Sequence, residues 1–213
     1  MENIAAIRKD YKLQTLNESD VDSNPVRQFD RWWQDAINGA VDEVNAFTLA
    51  TATTQGKPSA RILLLKGYDD NGFVFFTNYT SNKGHQLAHN PEVAMVFFWK
   101  ELERQVRIEG VAEKVSAEES DAYFLSRPAG SRIGAWASPQ SKVIEKRQVI
   151  EENVTKYETM FGTENIPRPV HWGGYRVMPT MIEFWQGRSN RLHDRIQYCL
   201  QKDNTWTIER LAP

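Results

Sequence analysis

The hydrophobic period of the chain changes several times along its length. Phe29, Trp32, Trp33, Ala36 and Ile37 recur at helical spacing within residues 26–38, with Pro25 at the first turn and Gly39 just past the end. Short runs rich in β-branched and aromatic residues follow at 46–53, 59–67, 73–77, 93–99 and 105–115, and they predict strands. Gln55-Gly56-Lys57-Pro58, Asp69-Asp70-Asn71-Gly72 and Asn90-Pro91 separate them, the second with hairpin character. Residues 81–89 fit a short helix capped by Ser81. Ser116 with Glu119 reads as a capping box opening a helix that ends near Ser126, before Arg127-Pro128. Residues 131–137 and 143–161 predict further helices, and strands return at 175–177, 181–186, 192–200 and 205–210. Roughly nine strands that do not alternate one-to-one with helices predict a mainly β fold with helices (α+β), an antiparallel barrel rather than a doubly wound sheet. Residues 1–24 read as a polar arm with a helical start, and 25–213 as a single domain.

Composition narrows the function. The chain has 213 residues, enough for a sizeable core, with 40% apolar and 25% charged residues. Its formal net charge of −2 gives no global field for nucleic acid or anionic lipid, so neither partner is expected and any anion site must be a local cluster of cations. Cys199 is the only cysteine, which excludes an intramolecular disulfide and suits a reducing, cytoplasmic home. Residues 1–10 lack the apolar core of a signal peptide, and no run reaches the length of a membrane span. The sequons at Asn17, Asn78 and Asn153 then read as chance matches.

The common catalytic fingerprints are missing: no G-x-G-x-x-G after a strand, no Walker loop, no G-x-S-x-G. His85 and His89 stand at i, i+4 without an H-E-x-x-H, so no metal site is expected. Three groups of cations and hydroxyls remain. Arg61 and Lys66 bracket an apolar strand, where each needs an anion or an exit to solvent. Their spacing of five puts them on opposite faces of a regular strand, so one shared ligand would need a bulge or two separate anions. Tyr123, Arg127 and Ser131 offer a phenol, a guanidinium and a hydroxyl, a donor set that suits phosphate or an ordinary surface cap. Arg191, His193 and Arg195 would share one face of a strand, with Leu192 and Asp194 on the other. Such a row is either a solvated edge or a seat for an anionic or electron-rich planar ligand.

Taken together, these segments resemble the pyridoxamine 5′-phosphate oxidase family from about Ile4 to Pro213. The matching stretches begin at Arg61-Ile-Leu-Leu-Leu-Lys66, Phe76-Thr77-Asn78 and Ser81-Asn-Lys-Gly-His85. They continue through Leu102-Glu-Arg-Gln-Val106, Tyr123-Phe-Leu-Ser-Arg127-Pro128, Ile133-Gly-Ala-Trp136 and Gln140-Ser141. They end with Phe184-Trp-Gln-Gly187, Arg191-Leu-His-Asp-Arg195 and Arg210-Leu-Ala-Pro213. The resemblance implies a split β-barrel homodimer with two FMN sites built from both subunits. It implies that Arg61 and Lys83, with Asn82 beside them, bind the FMN phosphate. Ile62, Leu63, Leu64, Leu65, Lys66, Phe76, Thr77, Gln105, Gln140, Ser141, Trp185 and Arg195 would complete the FMN site. Lys66, Tyr123, Arg127 and Ser131 would hold the substrate phosphate. Arg191 and His193 would be catalytic, with Leu192 between them at the substrate. Arg8, Lys9, Asp10 and Tyr11 would form an N-terminal lid.

The sequence departs from the family pattern at four places. Asn82 stands where an arginine is common, Phe76 where a tyrosine is common, Lys9-Asp10 where Arg-Glu is usual, and Glu43 where an aspartate is expected. The implied reaction is oxidation of pyridoxamine or pyridoxine 5′-phosphate by dioxygen to pyridoxal 5′-phosphate. Two other readings stay open: another flavin or deazaflavin oxidoreductase on the same barrel, and a non-catalytic flavin- or pyridoxal-phosphate-binding protein.

Overall fold

The computed structural model describes residues 3–6 and 9–213. Helix α1 (Pro25–Asn38) starts where predicted: Pro25 occupies its first turn and the Asn24 side chain accepts from the Val26 and Arg27 N–H groups. Gly39 closes it. The strands are β1 (Ala46–Ala52), β2 (Pro58–Leu64), β3 (Gly67–Asp69), β4 (Gly72–Asn78), β5 (Glu92–Trp99), β6 (Arg104–Lys114), β7 (Trp172–Gln186), β8 (Asp194–Leu200) and β9 (Trp206–Arg210). The other helices are α2 (Asn82–His89), α3 (Ala117–Ser126), α4 (Ala129–Ala137) and α5 (Gln148–Phe161). Short 3₁₀ turns include Ile4–Ala6, the helical start expected of the arm.

All the pairings are antiparallel, in the order β2-β1-β5-β6-β7-β4-β3, with β8 joined to β7 and β9 to β8. The sheet is not closed, as in a split barrel. Strand β7 is the junction: its first half pairs with β4, its second half with β8, and nearly its whole length with β6.

Nine strands form, but not the nine predicted. The 59–67 run breaks after Leu64, and Gly67 starts a new strand that returns through the predicted Asp69–Gly72 hairpin. There Gly72 has φ +128, and the Asn71 N–H bonds the Asp69 carboxylate. Conversely, the 175–177 and 181–186 runs join into β7. Pro179, between the two runs, faces Gly110 across a register shift, where a Cβ on Gly110 would meet the Met178 carbonyl oxygen at 2.1 Å. Helix α5 begins at Gln148 rather than 143, and the strand predicted over 192–200 begins only at Asp194.

The core lies between α1 and the inner sheet face. The Phe29 ring is fully buried and meets Tyr68, Phe73 and Phe97 edge-on, with centroids 5.0, 4.9 and 5.3 Å away. Trp32 meets Phe184 at 5.1 Å. A second cluster, Phe124, Ile133, Ile166 and Trp172, joins α3 and α4 to the start of β7. Among the described residues no helix is long and apolar enough to cross a membrane. Phe29→Ala empties the centre of the main core and is expected to lower stability by about 3–5 kcal/mol in urea denaturation. A loss below about 1 kcal/mol would show that α1 is not part of the folding core.

Candidate active site

One cleft of about 690 Å³ opens where β2, β4, α3, α4 and the start of α2 converge. Ser81 caps α2 by accepting from the Gly84 N–H, and this sets Lys83 on the first turn. The Lys83 ammonium donates to Thr77 Oγ1 at 3.1 Å and Gln140 Oε1 at 3.2 Å. Behind it the Arg61 guanidinium donates to the Leu49 carbonyl at 3.2 Å and Thr51 Oγ1 at 2.6 Å. Among the described residues neither cation has a carboxylate within 4 Å. Burial, then the charge of Arg61, lowers the Lys83 pKa, and burial lowers that of Arg61. Two desolvated cations without a counter-ion make a seat for an anion.

The same cleft receives the phenol–guanidinium–hydroxyl trio. Arg127 is the C-cap of α3, with extended backbone, and its guanidinium lies 4.7 Å from the Trp172 ring centroid. Its Nη1 is buried without a hydrogen-bond partner. Burial lowers its pKa, with Tyr123 opposing. Tyr123 stacks on Phe76 at 4.0 Å, and Phe76 stacks on Trp172 at 5.5 Å. Ser131 lies in the first turn of α4, and Lys66 enters from beyond the bend that ends β2. That bend resolves the parity problem: Arg61 sits on the less exposed face of β2, and Lys66 lies outside the strand altogether. Ile62, Leu63, Leu64, Phe76, Thr77 and Gln140 also line the cleft.

Other expected residues stand apart. Leu65 packs in the main core, Asn82 and Ser141 are exposed and outside the lining, and Glu43 sits in the exposed turn before β1. Asn78, Pro128, Gly134, Ala135, Ser138 and Trp172 line the cleft without having been singled out for it. Of these, Trp172 had the clearest available signal, an aromatic next to His171 at the start of a strand.

A second cleft, about 700 Å³, is lined by Lys9, Asp10, Tyr11, Arg188, Asn190, Arg191 and His193. Arg8 lies outside the described residues. Arg191 and His193 do come together, but not by strand alternation. Ser189–Arg191 is a 3₁₀ turn with Asn190 at φ +57 and Arg191 at φ +62, and Leu192 projects to solvent beyond it. The Arg188 N–H donates to His193 Nδ1 at 3.1 Å, so the neutral ring carries its proton on Nε2. The ring centroid is 4.5 Å from Trp185 and 6.0 Å from Tyr11. Burial, then Arg191, lowers the His193 pKa, against a smaller opposing effect of Asp194.

Arg195 leaves this group for β8. Its Nε donates to buried Glu183 at 2.7 Å and its Nη1 to the Ala212 carbonyl at 2.8 Å. The Glu183 bond raises its pKa. Gln105, Trp185 and Arg195 form one transverse row across β6, β7 and β8.

The two clefts share no lining residue. Trp172, under Arg127, and Trp185, beside His193, stand at opposite ends of β7, thirteen residues apart and therefore roughly 40 Å along the strand. Ile62, on β2 at the first cleft, and Phe98, on β5, are exposed apolar side chains, 64% and 54% accessible.

Comparison with known proteins adds independent findings. Residues 33–161 match the family model described as pyridoxamine 5′-phosphate oxidase, and 172–213 match the pyridoxine 5′-phosphate oxidase C-terminal dimerisation region. A pyridoxine/pyridoxamine 5′-phosphate oxidase from Paraburkholderia phymatum is 59% identical over the full length of both chains. One from Trichormus variabilis is 57% identical over 99% of this chain and 98% of its own. Among solved structures, PhzG from Burkholderia lata, in complex with tetrahydrophenazine-1-carboxylic acid, has a TM-score of 0.88 at 30% identity, covering 94% of this chain and 99% of its own. A pyridoxamine 5′-phosphate oxidase-related, FMN-binding protein from Nostoc punctiforme shares the fold, with a TM-score of 0.70 at 17% identity and 89% and 98% coverage. The two matched regions, the full-length relatives and the split sheet agree: the chain belongs to the pyridoxamine 5′-phosphate oxidase family.

Proposed function

We propose that this chain is an FMN-dependent oxidase that converts pyridoxamine or pyridoxine 5′-phosphate to pyridoxal 5′-phosphate, using dioxygen and releasing hydrogen peroxide, with water consumed and ammonia released when the substrate is the amine. One observation carries the reading: a single cleft is lined by Lys83, with Arg61 close by but outside the lining, and by Arg127 and Lys66, and none of the four has a carboxylate partner among the described residues. Two phosphates, one on a cofactor and one on a substrate, fit that donor set.

Lys83, Arg61, Thr77 and Gln140 would hold the FMN phosphate, with Ile62, Leu63, Leu64 and Phe76 along the cofactor. Tyr123, Arg127, Ser131 and Lys66 would hold the substrate phosphate, supplying remote binding energy that fixes the reacting carbon. When bound, FMN supplies the two-electron chemistry, accepting electrons from the substrate's C4′ carbon for delivery to dioxygen. Arg191 would cover the substrate ring as a planar cation. His193, with its proton on Nε2, would donate a hydrogen bond to a substrate oxygen or nitrogen. Lys9, Asp10 and Tyr11 would close the pocket.

The Arg191–His193 cleft and the phosphate cleft share no lining residue and flank opposite ends of β7, which supports a complete site built with a second subunit. The C-terminal dimerisation match and the exposed apolar side chains Ile62 and Phe98 support a homodimer with FMN sites at its interface. Gln105, Trp185 and Arg195 would then meet the flavin from the partner side. In this reading residues 25–213 form one domain and 1–24 an arm that belongs to its site.

The likeness to PhzG raises a second reading, a flavin oxidase acting on a tricyclic carboxylic acid. A lone carboxylate would satisfy Arg127. Tyr123, Ser131 and Lys66 around it favour the larger phosphate.

The protein is expected to purify with FMN, and Arg127→Ala to keep that FMN. The variant should raise KM for pyridoxine 5′-phosphate about 10- to 150-fold, the loss of ~1.5–3 kcal/mol from a charge-assisted contact. Loss of flavin with unchanged KM would instead assign the trio to the cofactor. His193 should titrate below the ordinary histidine value in an NMR experiment, and Arg191→Ala should move its midpoint upward by removing a like charge. Because this folded pKa is depressed, the stability linked to the neutral ring is present above the ordinary histidine value and is lost as pH falls from there through the lower, folded value.

A further inference from the structure

Glu103 stands in the left-handed region, φ +54 and ψ 39, at the turn between β5 and β6. It is 3% exposed, although three of the four other residues of Lys100-Glu-Leu-Glu-Arg104 are charged. Its neighbour Arg104 does not neutralise it: that guanidinium is bound to Asp35, at 2.7 Å, and to the Gln186 and Gln14 side chains. The Glu103 carboxylate is instead directed at the N-terminal arm. Oε2 accepts from the Lys12 N–H at 2.8 Å and the Leu13 N–H at 3.1 Å, and Oε1 lies 3.5 Å from the Lys9 ammonium.

The main chain of Glu103 fixes the other side of the same pocket. Its carbonyl accepts from the Gly187 N–H at 2.7 Å and from Gln186 Nε2 at 3.2 Å. Gly187 is where Tyr11 rests: a Cβ there would meet the Tyr11 ring at 2.7 Å. Ser189 Oγ donates to the Tyr11 carbonyl at 3.2 Å. The Tyr11 ring then lies edge-on to Trp185, 5.8 Å away, and beside His193. One buried residue therefore joins the arm directly after Tyr11 to the floor on which Tyr11 sits.

We propose that Glu103 is a positioning residue, a latch that holds the N-terminal arm over the Arg191–His193 cleft and so seats Tyr11 against the substrate. The substrate part of this inference rests on the function proposed above; the latch itself does not. The ammonium of Lys9 is mostly solvated and adds little, so the two backbone N–H groups carry the latch.

Hydrogen exchange on the FMN-loaded protein, with steady-state kinetics, tests it. Glu103→Ala removes a charged acceptor from two amides and is expected to speed exchange at Lys12 and Leu13 by about 10-fold or more. KM for pyridoxine 5′-phosphate should rise by a similar factor, with FMN content unchanged. In a Tyr11→Ala background the same change should raise KM no further, because its effect passes through Tyr11. Glu103→Gln keeps an oxygen for both N–H groups and should restore most of the protection and of the KM. It carries the same two measurements if the alanine variant does not fold, with exchange between wild type and an unlatched arm. Wild-type exchange at Lys12 and Leu13 in the variants overturns the latch. Faster exchange with unchanged KM, or a full further rise of KM in the Tyr11→Ala background, overturns the positioning role. If the wild-type protein does not oxidise either vitamer phosphate, the proposed function fails, while exchange at the two amides still decides the latch.

Discussion

The continuity of β7 through a local register shift is the constraint on which the rest of the molecule depends. Fifteen residues run without interruption from Trp172 to Gln186, paired to β6 on one side and to β4 and then β8 on the other. The start of the strand presents Trp172 beneath Arg127, and its end presents Trp185 beside His193. Neither cleft can move toward the other without breaking that strand. Gly110 and the register shift opposite Pro179 keep it continuous at the residue least suited to a sheet interior. The geometry of one strand thus divides the candidate site into a cation-rich cleft and a cleft of Arg191, His193 and the arm.

Burial gives each cleft its electrostatic character. Arg61, Lys83 and Arg127 are drawn out of water against walls of Leu, Phe and Trp, and all three are held below their ordinary pKa. A half-buried cation without a counter-ion costs stability, and a bound anion offsets that cost. Glu183 solves the reverse problem on the sheet face, where a fully buried carboxylate is answered by Arg107 and Arg195. This is why Arg195, although two residues from His193, belongs to a different network.

Much of this was legible in the sequence. The α1 period, its Pro25 and Gly39 ends, the Asp69–Gly72 hairpin and the Ser81 and Ser116 caps are local features, and they form as local chemistry dictates. The errors are tertiary. An apolar run from Ile62 to Leu65 does not announce the bend that separates Arg61 from Lys66, and Pro179 does not announce the glycine sixty-nine positions earlier that accommodates it. Alternation at Arg191, His193 and Arg195 suggested a strand, but positive φ at Asn190 and Arg191 makes a turn there instead. The site residues were named through motifs spread along the chain. Their grouping into two clefts was not readable, because it depends on the length of β7 and not on any motif. Glu103 was hidden for the same reason: its burial comes from the arm folding back over it across 90 residues.

Mixing two impaired variants, assayed with pyridoxine 5′-phosphate well below the wild-type KM, tests the two-subunit site most directly. Arg127→Ala damages the phosphate cleft and Arg191→Ala the other, so a mixed dimer would contain one site with both lesions and one with neither. After joint unfolding and refolding with FMN, random pairing in a two-fold dimer should restore about one quarter of the wild-type rate. Activity no higher than the average of the two variants alone would mean that each site is built from a single chain, contrary to the separation that β7 imposes.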